Sequence, residues 1–221
     1  MSSSAPSDDL KASLIATYQG DMGTSEKDGM LRCMLLNTAL PSELVVASHL
    51  FRRKNAFLCQ NLMSFDDIDD VKNGLLLFRP LKHALGAFQV SFIYDKDSDE
   101  FRLKVLDPSL RRQRLFGKLD QHERKILLRD QTLPKQWEKK RGPRLAPGTD
   151  FDIQTTFGDI EGRSLCFMAL ERPNKRCLNV QARLARMTAI EEQWIQPDEF
   201  DFEDYWSDGM SVAKTIGFFF E

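Results

Sequence analysis

Short apolar runs broken by turn-forming residues set the pattern of the first half of the chain, and longer charged, helix-prone stretches set that of the second. In "LRCMLLNTALPSELVVASHLF", residues 31–51, two apolar runs flank Asn-Thr-Ala-Leu-Pro-Ser, which predicts two strands or a strand and a turn. "CQNLMSFDDIDDVKNG" is polar and ends in Asn-Gly, a turn signal, so it reads as a loop with a short helix at most. "LLLFRPLKHALGAF" begins as a strand-like run and meets Pro80, a residue suited to the first turn of a helix, which puts His83 about one turn into that helix. The alternation in "FQVSFIYD" and "FRLKVLD" around the acidic "KDSDE" predicts a β-hairpin. Residues 109–140 are charged and helix-prone. "LNVQARLARMTAIEEQWI" is amphipathic, with Val180, Leu184, Met187 and Trp194 expected on one packed face.

These elements predict an α+β chain in three parts: a polar N-terminal arm over 1–29, in which "LKASLIATYQ" can form a short helix, a core over 30–110, and a helical C-terminal extension with an acidic tail over 111–221. Length is sufficient for a real hydrophobic core. The four cysteines, Cys33, Cys59, Cys166 and Cys177, form no CxxC pair. Their spacing favours reduced thiols over a zinc knuckle or a disulfide framework. The opening "MSSSAPSDDLKAS" lacks the apolar stretch of a signal peptide, and no run is long enough to span a membrane. The expectation is therefore a cytoplasmic or nuclear protein.

The formal charge of −2 conceals an uneven distribution. Residues 198–221 carry seven acids against Lys214 alone, which leaves the body of the chain mildly basic and open to a phosphate-bearing partner. The acidic tail offers a surface for a protein partner. Basic residues cluster at Arg52–Lys54, at Arg111, Arg112 and Arg114, and in "KKRGPR" at 139–144. The first cluster adjoins His49, where cations can hold a nucleic-acid backbone without reading its sequence. "DKDSDE" begins like a calcium loop, but Glu100 and Leu106 replace the glycine and glutamate such a loop requires, so it reads as an acidic turn.

Taken singly, His49 closing an apolar strand, Asn73 in a turn and His83 on a helix each have an ordinary structural explanation. Together, with Cys33 opening the segment and "VVASHLF", "DIDDVKNGLLLF", "KHALG" and "FRLKVLDPSL" following, they resemble the HNH endonuclease family, of the type with an "AAH" strand end and an "NGLLL" second half. The wider arrangement, with "FGDIEGRSL", "RPNKRCLNVQARLA" and "FDFEDYWS", looks like HNH-domain proteins of oomycetes and fungi.

That resemblance implies a ββα-metal core extended by a β-hairpin and a helical C-terminal part, and hydrolysis of DNA or RNA phosphodiesters. It assigns His49 as general base, Asn73 as the orienting asparagine, and His83 as a ligand of a divalent metal, Mg²⁺ or else Mn²⁺, Ni²⁺ or Zn²⁺. Asp70, from the run Asp66, Asp67, Asp69 and Asp70, is the carboxylate proposed to join His83, with Arg52, Arg53 and Lys54 on the nucleic acid. The chemistry suits these types, since imidazole accepts a proton near neutral pH and a divalent ion stabilises charge on phosphate oxygens. The chain departs from the pattern at Ser48, where many relatives carry a ligand, and at Gly86, where the helix motif HxxFD or HAFD has its aspartate. Those departures leave a second expectation: an HNH fold kept for binding nucleic acid or protein without cleavage.

Overall fold

The computed structural model describes residues 6–18, 29–63, 65–95, 97–129 and 151–198. The basic stretch at 139–144 and the acidic tail beyond Asp198 lie outside the described residues. Within them the chain runs α1 (Pro6–Tyr18), β1 (Met30–Cys33), β2 (Thr38–Pro41), β3 (Val45–His49), α2 (Cys59–Met63), β4 (Gly74–Phe78), α3 (Arg79–Gly86), β5 (Val90–Asp95), β6 (Glu100–Val105), α4 (Gln121–Arg129) and α5 (Lys175–Glu191). The strands pair antiparallel as β1–β2, β3–β4 and β5–β6, so the fold is α+β. The stretch 31–51, expected to hold at most two strands, contains three, because the turn at residues 34–37 and Pro41 each end one.

The pair β3–β4 with α3 is the centre of the structure. β4 reads "GLLLF", and all five of its residues are buried, as an unbroken apolar run requires. Its register sets Val45 opposite Phe78 and His49 opposite Gly74, so His49 stands at the open end of the pair. α3 leaves β4 directly, with Pro80 in its first turn. Leu81, Ala84 and Leu85 are buried at the i, i+3, i+4 spacing of one helix face.

α1 buries Leu10, Leu14 and Tyr18, so the segment expected as a polar arm contributes a packed helix. Leu14 explains Gly74. A Cβ on Gly74 would lie 2.8 Å from a Leu14 methyl, and Gly74 itself has extended backbone angles, so this glycine is required for close approach and not for the turn that Asn-Gly predicts. One apolar cluster runs from Leu10 through the β3–β4 pair to Phe151, Phe157, Ile160 and Val180, joining all three sequence segments in a single interior.

The hairpin β5–β6 forms at the expected place, with Val90 opposite Val105. α5 packs on β5, and the expected stripe holds in part: Val180 is buried, Leu184 and Trp194 pack partly buried against the core, and Met187 is exposed. Leu178, Gln181, Ala182, Ala185 and Ala189 are buried as well. Small alanines let the helix approach the strand closely, so that Ser91 Oγ donates to Gln181 Oε1 at 2.6 Å, a buried polar pair that apolar counting passes over. Of the charged stretch 109–140, the described helix is α4. No helix among the described residues is long and apolar enough to cross a membrane.

Candidate functional site

His49 ends β3 with its side chain about one-fifth exposed. Its Nε2 lies 2.7 Å from Oδ1 of Asp69. With Nε2–H donating to the carboxylate, Nδ1 is the nitrogen left with a free lone pair. The other Asp69 oxygen accepts from Arg53. Burial pushes the Asp69 carboxyl up, but the hydrogen bonds from His49 and Arg53 outweigh it and hold the group below the ordinary carboxylate range.

Asn73 makes this pairing possible without touching either partner. It is fully buried; its Oδ1 accepts from the Phe51 amide at 2.7 Å, and its Nδ2 donates to the carbonyls of Phe51 and Ile68 at 3.0 and 2.9 Å. Its own carbonyl accepts from Leu50 N at 2.9 Å. One side chain thus ties the segment just after His49 to the residue just before Asp69. All of its donors and acceptors go to backbone, as a buried amide requires.

The acidic run is a built turn. Asp67 accepts from the Asp69 amide at 2.9 Å, and Asp70 caps the short turn at 71–73 by accepting from Lys72 N at 2.8 Å. Tyr18 Oη donates to the Val71 carbonyl at 3.0 Å and anchors that turn to α1. Asp69 is therefore the carboxylate of this run that reaches His49, while Asp70, expected beside His83, caps its own turn. The run reads from sequence as a solvated face because its side chain to backbone bonds are invisible there.

Arg52 crosses to the end of α3. Its Nη2 donates to the Gly86 carbonyl at 2.6 Å and its guanidinium lies 3.8 Å from the centroid of the Phe88 ring. A cation on the last carbonyls of a helix is favourable for the same reason that an anion is at the first amides. Phe88 has φ +58°, at the position just past the helix where glycine is usual, while its amide bonds to Leu85 O and the next amide, of Gln89, to Ala84 O. A phenylalanine there is strained by roughly 1–2 kcal/mol, and the Arg52 stack together with packing against the small cluster around Ala185 holds it. Lys54 is exposed and does not line the hollow beside His49.

A depression of about 370 Å³ opens beside His49, lined by Ser48, Arg52, Arg53, Lys82, Gly86, Phe88 and Gln181 among others. A second, of about 340 Å³, is lined by Lys11, Glu43, Val46, Ala47, Arg79, Lys82 and His83. Consecutive residues of a helix point about 100° apart, so Lys82 and His83 cannot share a direction. Lys82 borders both depressions; His83 borders the second, and not the one that holds His49. Burial and the neighbouring Lys82 keep the His83 imidazole below its ordinary pKa. Counting four residues back from Gly86 by the HxxFD spacing lands on Lys82, a register signal that the HAFD spacing, counted three back to His83, overrides.

These positions do not fit a metal centre. Among the described residues no group of three or more His, Cys, Asp or Glu side chains could hold a metal ion. Asp69 is committed to His49 and Arg53, Asp70 to its own turn, and the helix turn nearest His49 presents a lysine and a glycine. Hard divalent ions need several oxygen ligands, and the described residues supply no such set.

Residues 33–93 match the family model described as HNH endonuclease. The matched span covers rather more than a quarter of the chain. It begins at the end of β1, ends within β5, and contains His49, Asp69, Asn73, Lys82, His83 and Gly86. Neither the curated proteins nor the solved structures contain a match to this chain.

Proposed function

We propose that the HNH endonuclease-type segment, residues 33–93, acts on the phosphodiester backbone of DNA or RNA at the depression beside His49. The observation that carries this reading is the His49–Asp69 pair, held by Asn73 at the mouth of a cation-lined hollow. Asp69 fixes the imidazole tautomer and stabilises the imidazolium once it forms, which is what a general base needs from its partner. In hydrolysis a water gives its proton to His49 Nδ1 and attacks phosphorus. The bond from phosphorus to the leaving sugar oxygen breaks, and that oxygen recovers a proton from His49 or solvent. Arg52 and Arg53 keep donors beyond their internal bonds, because a guanidinium has five.

A ββα-metal core would add a divalent ion to this scheme. The order of β3, β4 and α3 is compatible with such a core, but the donor set among the described residues does not fit the ion. That mismatch supports a second reading, in which the same hollow binds nucleic acid without cutting it.

Incubation of the purified full chain with supercoiled plasmid and with single-stranded RNA, in Mg²⁺, Mn²⁺ or EDTA, separates the two. Cleavage that disappears in His49→Ala supports the hydrolase. Binding of both substrates with no cleavage under any condition, from protein shown to be folded, selects the binding module. Cleavage that persists in His49→Ala overturns the assignment of the base.

A further inference from the structure

α3 offers the two depressions a shared wall. Leu81, Ala84 and Leu85 face the core, which leaves Lys82 and Gly86, one helical turn apart, toward His49, and His83 turned away. Lys82 and Ala47 border both hollows and so form the ridge between them.

The cations around this ridge are not equivalent. Arg52 is tied to Gly86 O and Phe88, Arg53 to Asp69, Arg79 to Glu123, and Lys11 donates to Ser42 O at 2.7 Å. Lys82 makes no hydrogen bond or ion pair among the described residues, although it is partly buried. Among the described residues Glu43 is the one acid lining either hollow. An ammonium with no internal partner on the ridge is free to take an anion, and two adjoining cationic hollows suit an anion that repeats along a chain.

We infer that Lys82 takes the place a metal ion would fill, and that the two hollows form one metal-independent track for successive phosphates of a nucleic-acid strand, with Lys82 shared between them. This inference rests on the reading that the His49 hollow receives a phosphodiester. It goes beyond that reading in naming the cation, the second hollow and the independence from divalent ions. Lysine serves here as a compact point charge, a common phosphate binder that needs no planar geometry.

The test is fluorescence anisotropy of a short fluorescein-labelled oligonucleotide, DNA and then RNA, with the full chain in EDTA and in Mg²⁺ over a salt series. Binding in EDTA is expected to be at least as tight as in Mg²⁺. Lys82→Ala should weaken it about tenfold, uniformly across sequences, and lower the salt slope by about one. Lys82→Arg should retain most of the affinity. Gly86→Asp places a carboxylate where a Cβ meets nothing within 4 Å, so the fold tolerates it, and binding should fall about fivefold or more. Binding that requires Mg²⁺, or that is unchanged in Lys82→Ala, overturns the inference and leaves the proposed function standing. No binding by the wild type in either solution overturns both.

Discussion

Replacing Asn73 by alanine probes the joint that holds the site together, and its cost can be worked from the bonds. The amide satisfies the Phe51 N–H and C=O, both buried, and the half-buried Ile68 carbonyl. Each buried group left without a partner costs about 1–3 kcal/mol, and the half-buried one roughly 0.5–1.5 kcal/mol. Local collapse or an entering water recovers part, so Asn73→Ala should lose about 3–5 kcal/mol, a large share of the roughly 5–15 kcal/mol by which domains are stable. Asn73→Asp should be no milder near neutral pH, because it turns a carboxylate oxygen toward two carbonyls. Urea unfolding followed by circular dichroism measures the loss from the shift in midpoint at constant slope. Asp66→Ala, an exposed change in the same loop, serves as the reference and should stay within about 0.5 kcal/mol. A loss below about 1 kcal/mol for Asn73→Ala, indistinguishable from that reference, would refute the role given to this side chain.

Three further outcomes can be checked on the same protein. Gly74→Ala drives a methyl to within 2.8 Å of the fully buried Leu14, and should cost about 1–3 kcal/mol by overpacking; Leu14→Ala in the same chain should relieve part of it, measured as a non-additive double-mutant cycle. Asp69 has a depressed folded-state pKa, so the unfolded chain binds its proton first as pH falls. Its stabilisation is complete above the ordinary carboxylate range near pH 4 and is lost as pH drops through the lower folded value. Asp69→Asn should therefore flatten the stability profile in that acid window, and an unchanged profile argues against the pairing. Gln181→Ala strands the buried Ser91 hydroxyl and should cost about 1–3 kcal/mol in urea unfolding, whereas the paired Ser91→Ala, Gln181→Leu change should cost less than the single one.

The order of elements was largely legible in the chain because it rests on periodicity and punctuation: the run 75–78, Pro80 at the start of α3, and the alternating strands on either side of "KDSDE" all form where pattern places them. The packed role of α1 was not, since its short helix lies in a polar segment and nothing in the sequence shows that Leu14 lies against Gly74 of β4. His49 and Asn73 were legible as residue types in a motif. Asp69 was not, because an aspartate in an acidic run is told from its neighbours only by side chain to backbone bonds, which here consume Asp67 and Asp70 and release Asp69 to the histidine. The position of Lys82 was not legible for a rotational reason. One residue along a helix is about 100° of direction, so Lys82 borders the His49 hollow while its chemically richer neighbour His83 borders the second.

The most direct measurement is a ¹H–¹⁵N shift map of the full chain in EDTA on addition of a phosphorothioate oligonucleotide, which resists cleavage and so holds the bound state. Shifts concentrated in residues 47–53 and 79–88, spanning both hollows on either side of Lys82, are the expected result. Shifts confined to Arg111, Arg112 and Arg114, or the absence of any shift at His49 and Lys82 while binding occurs, would contradict the claim that this hollow receives the phosphodiester.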